Sequence, residues 1–192
     1  GANVGSYTLL AAAAGVDCVL AFEPSLLAGD RLWRNVALNG LEDKVQLHRV
    51  ALGAEAGEVA FSVGCDTTNH VLSVGEAGVE SETVPVRRFD DYFDPGRPAF
   101  VKMDVEGFET EVLAGAVAAL DHPSLFGMLV EDNGSGRRYG REDSISSLLT
   151  ALIARFSRTY LHKETGYIRF FALLGVFATG TQLVALAGAL EL

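Results

Sequence analysis

Apolar positions along the chain fall into two spacings that keep changing places. Residues 18–22, 99–103 and 125–130 are short, continuous apolar runs, the pattern of strands covered on both faces. Residues 45–50 read as a further strand. Between these runs the spacing becomes helical. Residues 7–14 are rich in Ala and Leu and stop at Gly15, and residues 26–38 place Leu27, Leu32 and Val36 on one side before Asn39-Gly40. Residues 108–120 carry Phe108, Val112, Ala116 and Leu120, and residues 145–156 form another helical stretch. Residues 57–63 and 82–86 alternate apolar and polar side chains, as antiparallel or edge strands do, and a polar, Gly-containing stretch, 64–78, lies between them. Residues 159–162 predict one more strand. Strand and helix in alternation predict an α/β fold: a doubly wound, Rossmann-like sheet, mostly parallel, with a late antiparallel strand.

The last stretch resists a single reading. Residues 170–190 carry no charge over 21 positions, long enough to raise a membrane span. Ala178-Thr-Gly-Thr-Gln182 interrupts the run, and Gly175, Gly180 and Gly188 weaken any helix through it. A strand, a turn and a final buried strand use the same residues, and no membrane span is the expectation.

Composition adds limits. The 192 residues are 49% hydrophobic and 21% charged, enough for one domain with a full-sized core over residues 1–192. A net charge of −10, from 15 basic and 25 acidic residues, argues against a general nucleic-acid surface and against docking on anionic lipid. Cys18 and Cys65 are too few for a disulfide framework, so a cytoplasmic setting is expected. The chain opens on Gly1-Ala2-Asn3-Val4-Gly5 with no initiator Met. This reads as a turn following a buried strand, so the sequence is expected to be an N-terminally trimmed piece lacking its own first strand.

That opening turn is the first motif with chemistry in it. Glycines let a backbone approach a ligand without Cβ interference, and the N–H groups of such a turn face the ligand beside a helix N-terminus. Asn3 is one of the few non-Gly residues that tolerate a left-handed backbone. A tight turn with no ligand accounts for the same residues. Glu23 follows Gly5 by 18 residues and closes the second apolar run, where an acid can accept both hydroxyls of a ribose; a solvated strand-end acid is the plainer alternative. A dinucleotide site uses the same acid but needs Gly at loop positions 1, 3 and 6. Here those positions hold Gly1, Asn3 and Ser6. In Phe100-Val-Lys-Met-Asp104-Val-Glu106-Gly-Phe-Glu109, an apolar strand delivers Asp104 and Glu106 to the carboxyl edge of the sheet, where open α/β folds bind ligands. Glu106 and Glu109 also suit the positive start of the next helix, and for Glu109 that is the preferred account. Gly115 inside that helix points to close packing against the sheet.

Together, Gly1-Ala-Asn-Val-Gly5, Ala21-Phe-Glu-Pro24, Asn35 with Leu38-Asn39, Val50-Ala-Leu-Gly53, Lys102-Met-Asp-Val-Glu-Gly-Phe-Glu109, Val112-Leu-Ala-Gly115 and Val130-Glu131 resemble the FkbM family of methyltransferases, in order, over residues 1–133. The resemblance implies a class I methyltransferase fold, S-adenosylmethionine as donor, and a hydroxyl acceptor on a sugar, polyketide or glycolipid-type small molecule. It implies that Gly1, Ala2, Asn3 and Gly5 cradle the methionine end of the donor, Glu23 its ribose, and Ala51 and Leu52 its adenine, with Asp104 near the sulfonium. The acidic residue that usually precedes the turn is absent, and beyond residue 140 the resemblance fades, so acceptor specificity is expected there and in residues 64–80.

Methyl transfer is an in-line displacement whose demand is alignment, and a hydroxyl nucleophile is helped by a base, for which Asp104 and Glu106 are the candidates. Asp104 with Glu131-Asp132-Asn133 also matches the way catechol-type O-methyltransferases hold Mg²⁺. A bare turn explains Asp132-Asn133-Gly134 as well, and the divalent metal is not favoured. His48, His70, His122 and His162 have no ligand spacing. Two rivals remain at this level: a methyltransferase-like binding domain without chemistry, and a nicotinamide-dependent oxidoreductase, which the loop glycines disfavour.

Overall fold

The computed structural model describes residues 1–64, 68–132 and 135–140, together with the strands at 158–164 and 167–173. Helix α1 (Ser6–Ala13) starts from Gly5 in the left-handed region (φ 92°), and Gly15 (φ 98°) turns the chain out of it. Strand β1 (Val19–Phe22) leads to α2 (Leu26–Leu38), whose first turn is capped by Ser25, its Oγ accepting from Ala28 N–H at 3.3 Å. Strand β2 (Val45–His48) lies parallel to β1, with Phe22 opposite His48. Leu32 and Val36 of α2, with Ala12, Ala21 and Val45, form one dry core. Leu27 does not join them and is 62% exposed. At about 100° per residue it points away from both Leu32 and Val36, and Gly29 holds the inward position instead.

The predicted strand at 45–50 is two strands. β2 pairs with β1, whereas β3 (Ala51–Leu52) pairs in parallel with β5 (Ser81–Arg87). The chain changes partner at Arg49, which is held by Leu26 O and by Asp30. β4 (Gly57–Ser62) runs antiparallel to β5 at the edge of that three-stranded sheet, as its alternation predicts. After a short 3-10 turn (Phe89–Asp91) come β6 (Ala99–Met103), α3 (Glu109–Ala114), α4 (Val117–Asp121) and β7 (Leu125–Asp132), with β6 and β7 parallel. β8 (Arg158–Glu164) and β9 (Tyr167–Leu173) complete a sheet in the order β6-β7-β9-β8, and β9 is the antiparallel strand.

The single helix expected over 108–120 is broken at Gly115. An ideal Cβ there would lie 2.0 Å from Gly53 O, so α3 can approach the end of β3 only with glycine at this point. The Gly115 carbonyl accepts from Asp90 N–H at 3.1 Å, outside the helix. The Asp90 carboxylate in turn accepts from Ala118 and Ala119 N–H and starts α4. The expected helix at 145–156 and the segment beyond 173 lie outside the described residues; 167–173 is strand, in line with the sheet reading of the apolar tail. No helix among the described residues is long and apolar enough to cross a membrane.

Candidate functional site

The opening turn bridges the carboxyl ends of β1 and β6. Ala2 N–H donates to Phe22 O at 3.0 Å, and the Gly1 nitrogen donates to Asp104 O. Each small or permissive residue in the turn has a geometric reason. A Cβ on Gly1 would sit 2.7 Å from Glu23 Oε2, and one on Gly5 would meet Leu32 at 2.9 Å. Asn3 takes the left-handed backbone (φ 49°) that the position-3 glycine of a dinucleotide loop would otherwise supply. Asn35 of α2 ties the turn down, its Nδ2 donating to Val4 O at 2.9 Å.

Glu23 is 4% exposed, so it is not the solvated strand-end acid of the plainer alternative. Its Oε2 accepts from Asn3 N–H at 2.7 Å and its Oε1 from Ser25 N–H at 3.0 Å. The carboxylate thus locks the Gly1–Gly5 turn to the start of α2. Each oxygen keeps a second lone pair, so a pair of ligand hydroxyls could still be accepted there.

Asp104 closes β6 beside Gly1, and its Oδ2 receives Lys102 Nζ at 2.8 Å. The same ammonium lies 4.6 Å from the centre of the Tyr7 ring, a cation–π contact at the start of α1. Glu106 is held in the left-handed region (φ 55°), a strain of about 1–2 kcal/mol for a non-Gly residue. Gly107 follows at φ 102°, with Ser135 and Gly136 packed where its Cβ would go. Buried Glu109 braces this loop, its Oε1 accepting from Val105 and Gly107 N–H. That is a more specific task than facing a helix dipole.

The sequence model of the methyltransferase FkbM domain matches residues 1–161. The chain belongs to the FkbM methyltransferase family. It is 31% identical over 123 residues to the hexuronic acid methyltransferase AglP of Haloferax volcanii, covering 62% of this chain and 49% of that protein; it therefore spans about half the length of this relative. The fold aligns with a Clostridium thermocellum protein assigned as an rRNA methylase, at a TM-score of 0.52 and 12% identity, over 92% of this chain and 85% of the other. At that identity the likeness speaks for an α/β fold with mostly parallel sheets.

In this FkbM chain the structure brings Gly1, Ala2, Asn3, Gly5, Glu23 and Asp104 to one edge, with Glu106 two residues further along the same loop. Ala51 is buried with Phe61, Val71, Val84 and Val86, and half-buried Leu52 packs against the Met103 cluster. Asn133 and the Asp132 side chain lie outside the described residues. Among the described residues no three His, Cys, Asp or Glu side chains are grouped to hold a metal ion, and the cation beside Asp104 is Lys102.

Several residues given no role by sequence gather here. Lys102 is one, and its signal was a charge inside an otherwise apolar strand. A second group lines an open cleft of roughly 520 Å³ between the loops that follow β6 and β7 and the 71–74 segment. Thr110, Arg138 and Tyr139 belong to it. Tyr139 donates to Val71 O at 2.5 Å, and burial pushes its phenol up to about 12. The 71–74 wall is itself held by Glu76, which bonds His70 and Ser73; those hydrogen bonds pull its carboxyl down to about 2.

Proposed function

We propose that this domain is a class I, S-adenosylmethionine-dependent O-methyltransferase whose acceptor is a hydroxyl on a sugar or a related small molecule. The observation that carries the reading is the Gly1–Gly5 turn folded onto buried Glu23, with Asp104 beside it, in a chain of the FkbM family. The hexuronic acid methyltransferase relative favours a sugar hydroxyl, and the net charge of −10 favours a small molecule over RNA. The cytoplasm is the setting we assign to it.

The residues present fit such a donor. A Cβ at Gly1 would crowd Glu23 Oε2, so glycine there leaves that carboxylate in place, and Glu23 keeps acceptor capacity for two hydroxyls. In this reading Gly1, Ala2, Asn3, Gly5 and Glu23 hold the donor, and Ala51 and Leu52 border its base. The donor supplies a methyl group on a good leaving group, so the protein's task is alignment. Lys102 fixes one oxygen of Asp104, leaving Oδ1 to orient the acceptor hydroxyl and take its proton. Glu106 is a second candidate base on the same loop.

Calorimetry on the full-length protein tests this. S-adenosylhomocysteine should bind and NAD should not, and a radiolabelled methyl group should pass to hydroxylated sugars. Binding of NAD alone, or of neither ligand, would overturn the reading.

A further inference from the structure

We infer that Lys102 and Tyr7 are positioning residues for Asp104: the ammonium, seated on the Tyr7 ring, holds the carboxylate back from the donor's positive sulfur, so that Asp104 faces the acceptor instead of closing on the cation. This rests on the methyltransferase reading above. Side chains two apart on an extended chain share a face, so Lys102 and Asp104 rise together from β6, on the side opposite Val101 and Met103, which join the core under α3. Helix α1 meets them there. Tyr7 stands two residues beyond Gly5, in the first turn of that helix, and its ring centre lies 4.6 Å from Lys102 Nζ. The same Nζ is 2.8 Å from Asp104 Oδ2.

Packing alone does not account for the charge. Lys102 interrupts the apolar run Phe100-Val101-Lys102-Met103, and its side chain is only 17% exposed. Methionine would fill the same space without desolvating an ammonium, and replacing a buried ion pair by apolar groups is often neutral or stabilising. Tyr7 fills no core either: it is 53% exposed, yet its ring offers a face to a cation. A charge in an apolar strand and an aromatic ring left at the surface thus meet on one ammonium.

Methyl transfer gives that arrangement a use. The sulfur–carbon bond breaks with its electron pair left on sulfur, an oxygen–carbon bond forms, and the hydroxyl proton goes to Asp104 Oδ1. The donor begins as a cation and ends as a neutral thioether. A carboxylate closed onto the cation would favour the bound donor over the transition state, in which that charge is fading, and would slow the transfer. The Lys102 ammonium competes for the carboxylate, and its own charge is the same before and after the step, so it weakens this ground-state attraction. The Tyr7 ring keeps the ammonium in place while it does so.

The test uses the full-length protein without acceptor. Calorimetry compares S-adenosylmethionine, a cation at sulfur, with S-adenosylhomocysteine, the neutral thioether. Lys102→Met should raise the affinity for the first by about fivefold, the upper range for charges that solvent reaches, and leave the second nearly unchanged. Lys102→Arg keeps the charge and should restore the parent's ratio. Tyr7→Leu, a change at an exposed position, should shift the ratio the same way by a smaller factor, and Tyr7→Phe, which keeps the ring, should not shift it. In turnover, Lys102→Met should lower kcat and the donor's KM together, the pattern left when ground-state destabilisation is removed. An unchanged or reduced ratio in Lys102→Met, or the same shift in Lys102→Arg as in Lys102→Met, would overturn this inference alone. If Lys102→Met does not fold, an unshifted ratio in Tyr7→Leu decides against it. Failure of both ligands to bind the parent would overturn the methyltransferase reading and this inference with it.

Discussion

Replacing Glu23 should damage the fold before it touches any ligand. The carboxylate accepts from two backbone N–H groups, Asn3 at 2.7 Å and Ser25 at 3.0 Å, and it is buried. Hydrogen bonds to a charged group contribute about 1.5–3 kcal/mol each. Glu23→Ala loses both, and water entering the space left behind recovers part, so a loss of about 2–4 kcal/mol is expected. That is a large share of the roughly 5–15 kcal/mol that holds a domain together. Glu23→Gln keeps one acceptor oxygen but turns an NH₂ toward the other N–H, and should cost about 1–2 kcal/mol. Urea unfolding of the full-length protein at constant slope measures both values, and hydrogen exchange at the Asn3 and Ser25 amides reports the bonds themselves. An Ala variant within about 0.5 kcal/mol of the parent, the range of an ordinary surface substitution, with both amides still protected, would refute the bracing role. The order of the two variants matters for function as well. A fall in donor affinity in Glu23→Ala mixes lost contact with a loosened turn, so Glu23→Gln is the cleaner probe of ribose binding.

Three further outcomes are expected. Asp104→Asn should lower turnover by about 10²-fold or more, the scale of a positioned acid–base group, while S-adenosylhomocysteine affinity changes much less. Chelation should leave wild-type turnover in place, and activity lost to chelator and restored by Mg²⁺ would transfer Asp104 to a metal site. Gly115→Ala places a Cβ 2.0 Å from Gly53 O and should destabilise by about 1–3 kcal/mol or more, read as a lowered Tm; an unchanged Tm would contradict the close approach. Burial lowers the pKa of His48, packed between Phe22 and Tyr92, so the folded protein favours the neutral ring. The unfolded chain then binds the extra proton first: stability from this residue is present above the ordinary value of 6.5 and is lost as pH falls through the lowered one. His48→Phe should flatten the stability profile between about pH 7 and 5; an identical slope in the variant would assign that loss to other groups.

Local patterns were readable where one neighbour decides the outcome. Residues 26–38 and 99–103 have the predicted bounds because a cap, a terminating Asn-Gly and a continuous apolar run are all local signals. The errors occur where a distant residue decides. Leu27 lost its inward place to Gly29, whose missing side chain leaves room for Arg49. The strand at 45–50 divides because its second half finds β5, and the helix at 108–120 divides because Gly115 meets Gly53. The same holds at the site. Glu23 and Asp104 stand out in the sequence because each ends an apolar run, and the structure places both at the carboxyl edge beside the opening turn. Lys102 could not be given a role, because its partners are Asp104 and the Tyr7 ring. Arg138, Tyr139 and Thr110 become a group only when the loops after β6 and β7 meet the 71–74 segment.

These placements also bear on whether the domain acts or merely binds. Glu23 cannot decide it: a domain without chemistry would still need that carboxylate to hold the turn against α2. The loop glycines cannot decide it either, since Gly1 and Gly5 are required by Glu23 and Leu32. Asp104 and Lys102 are different. Their side chains are 32% and 17% exposed, and an ion pair reached by solvent contributes only about 0–1 kcal/mol to stability. Packing therefore gives little reason for a carboxylate, held by an ammonium at the end of β6, to stand beside the turn. Orienting and deprotonating an acceptor hydroxyl does give one. If turnover in Asp104→Asn equalled that of the parent, the pair would lose that reason, and the binding-domain account would become the better one.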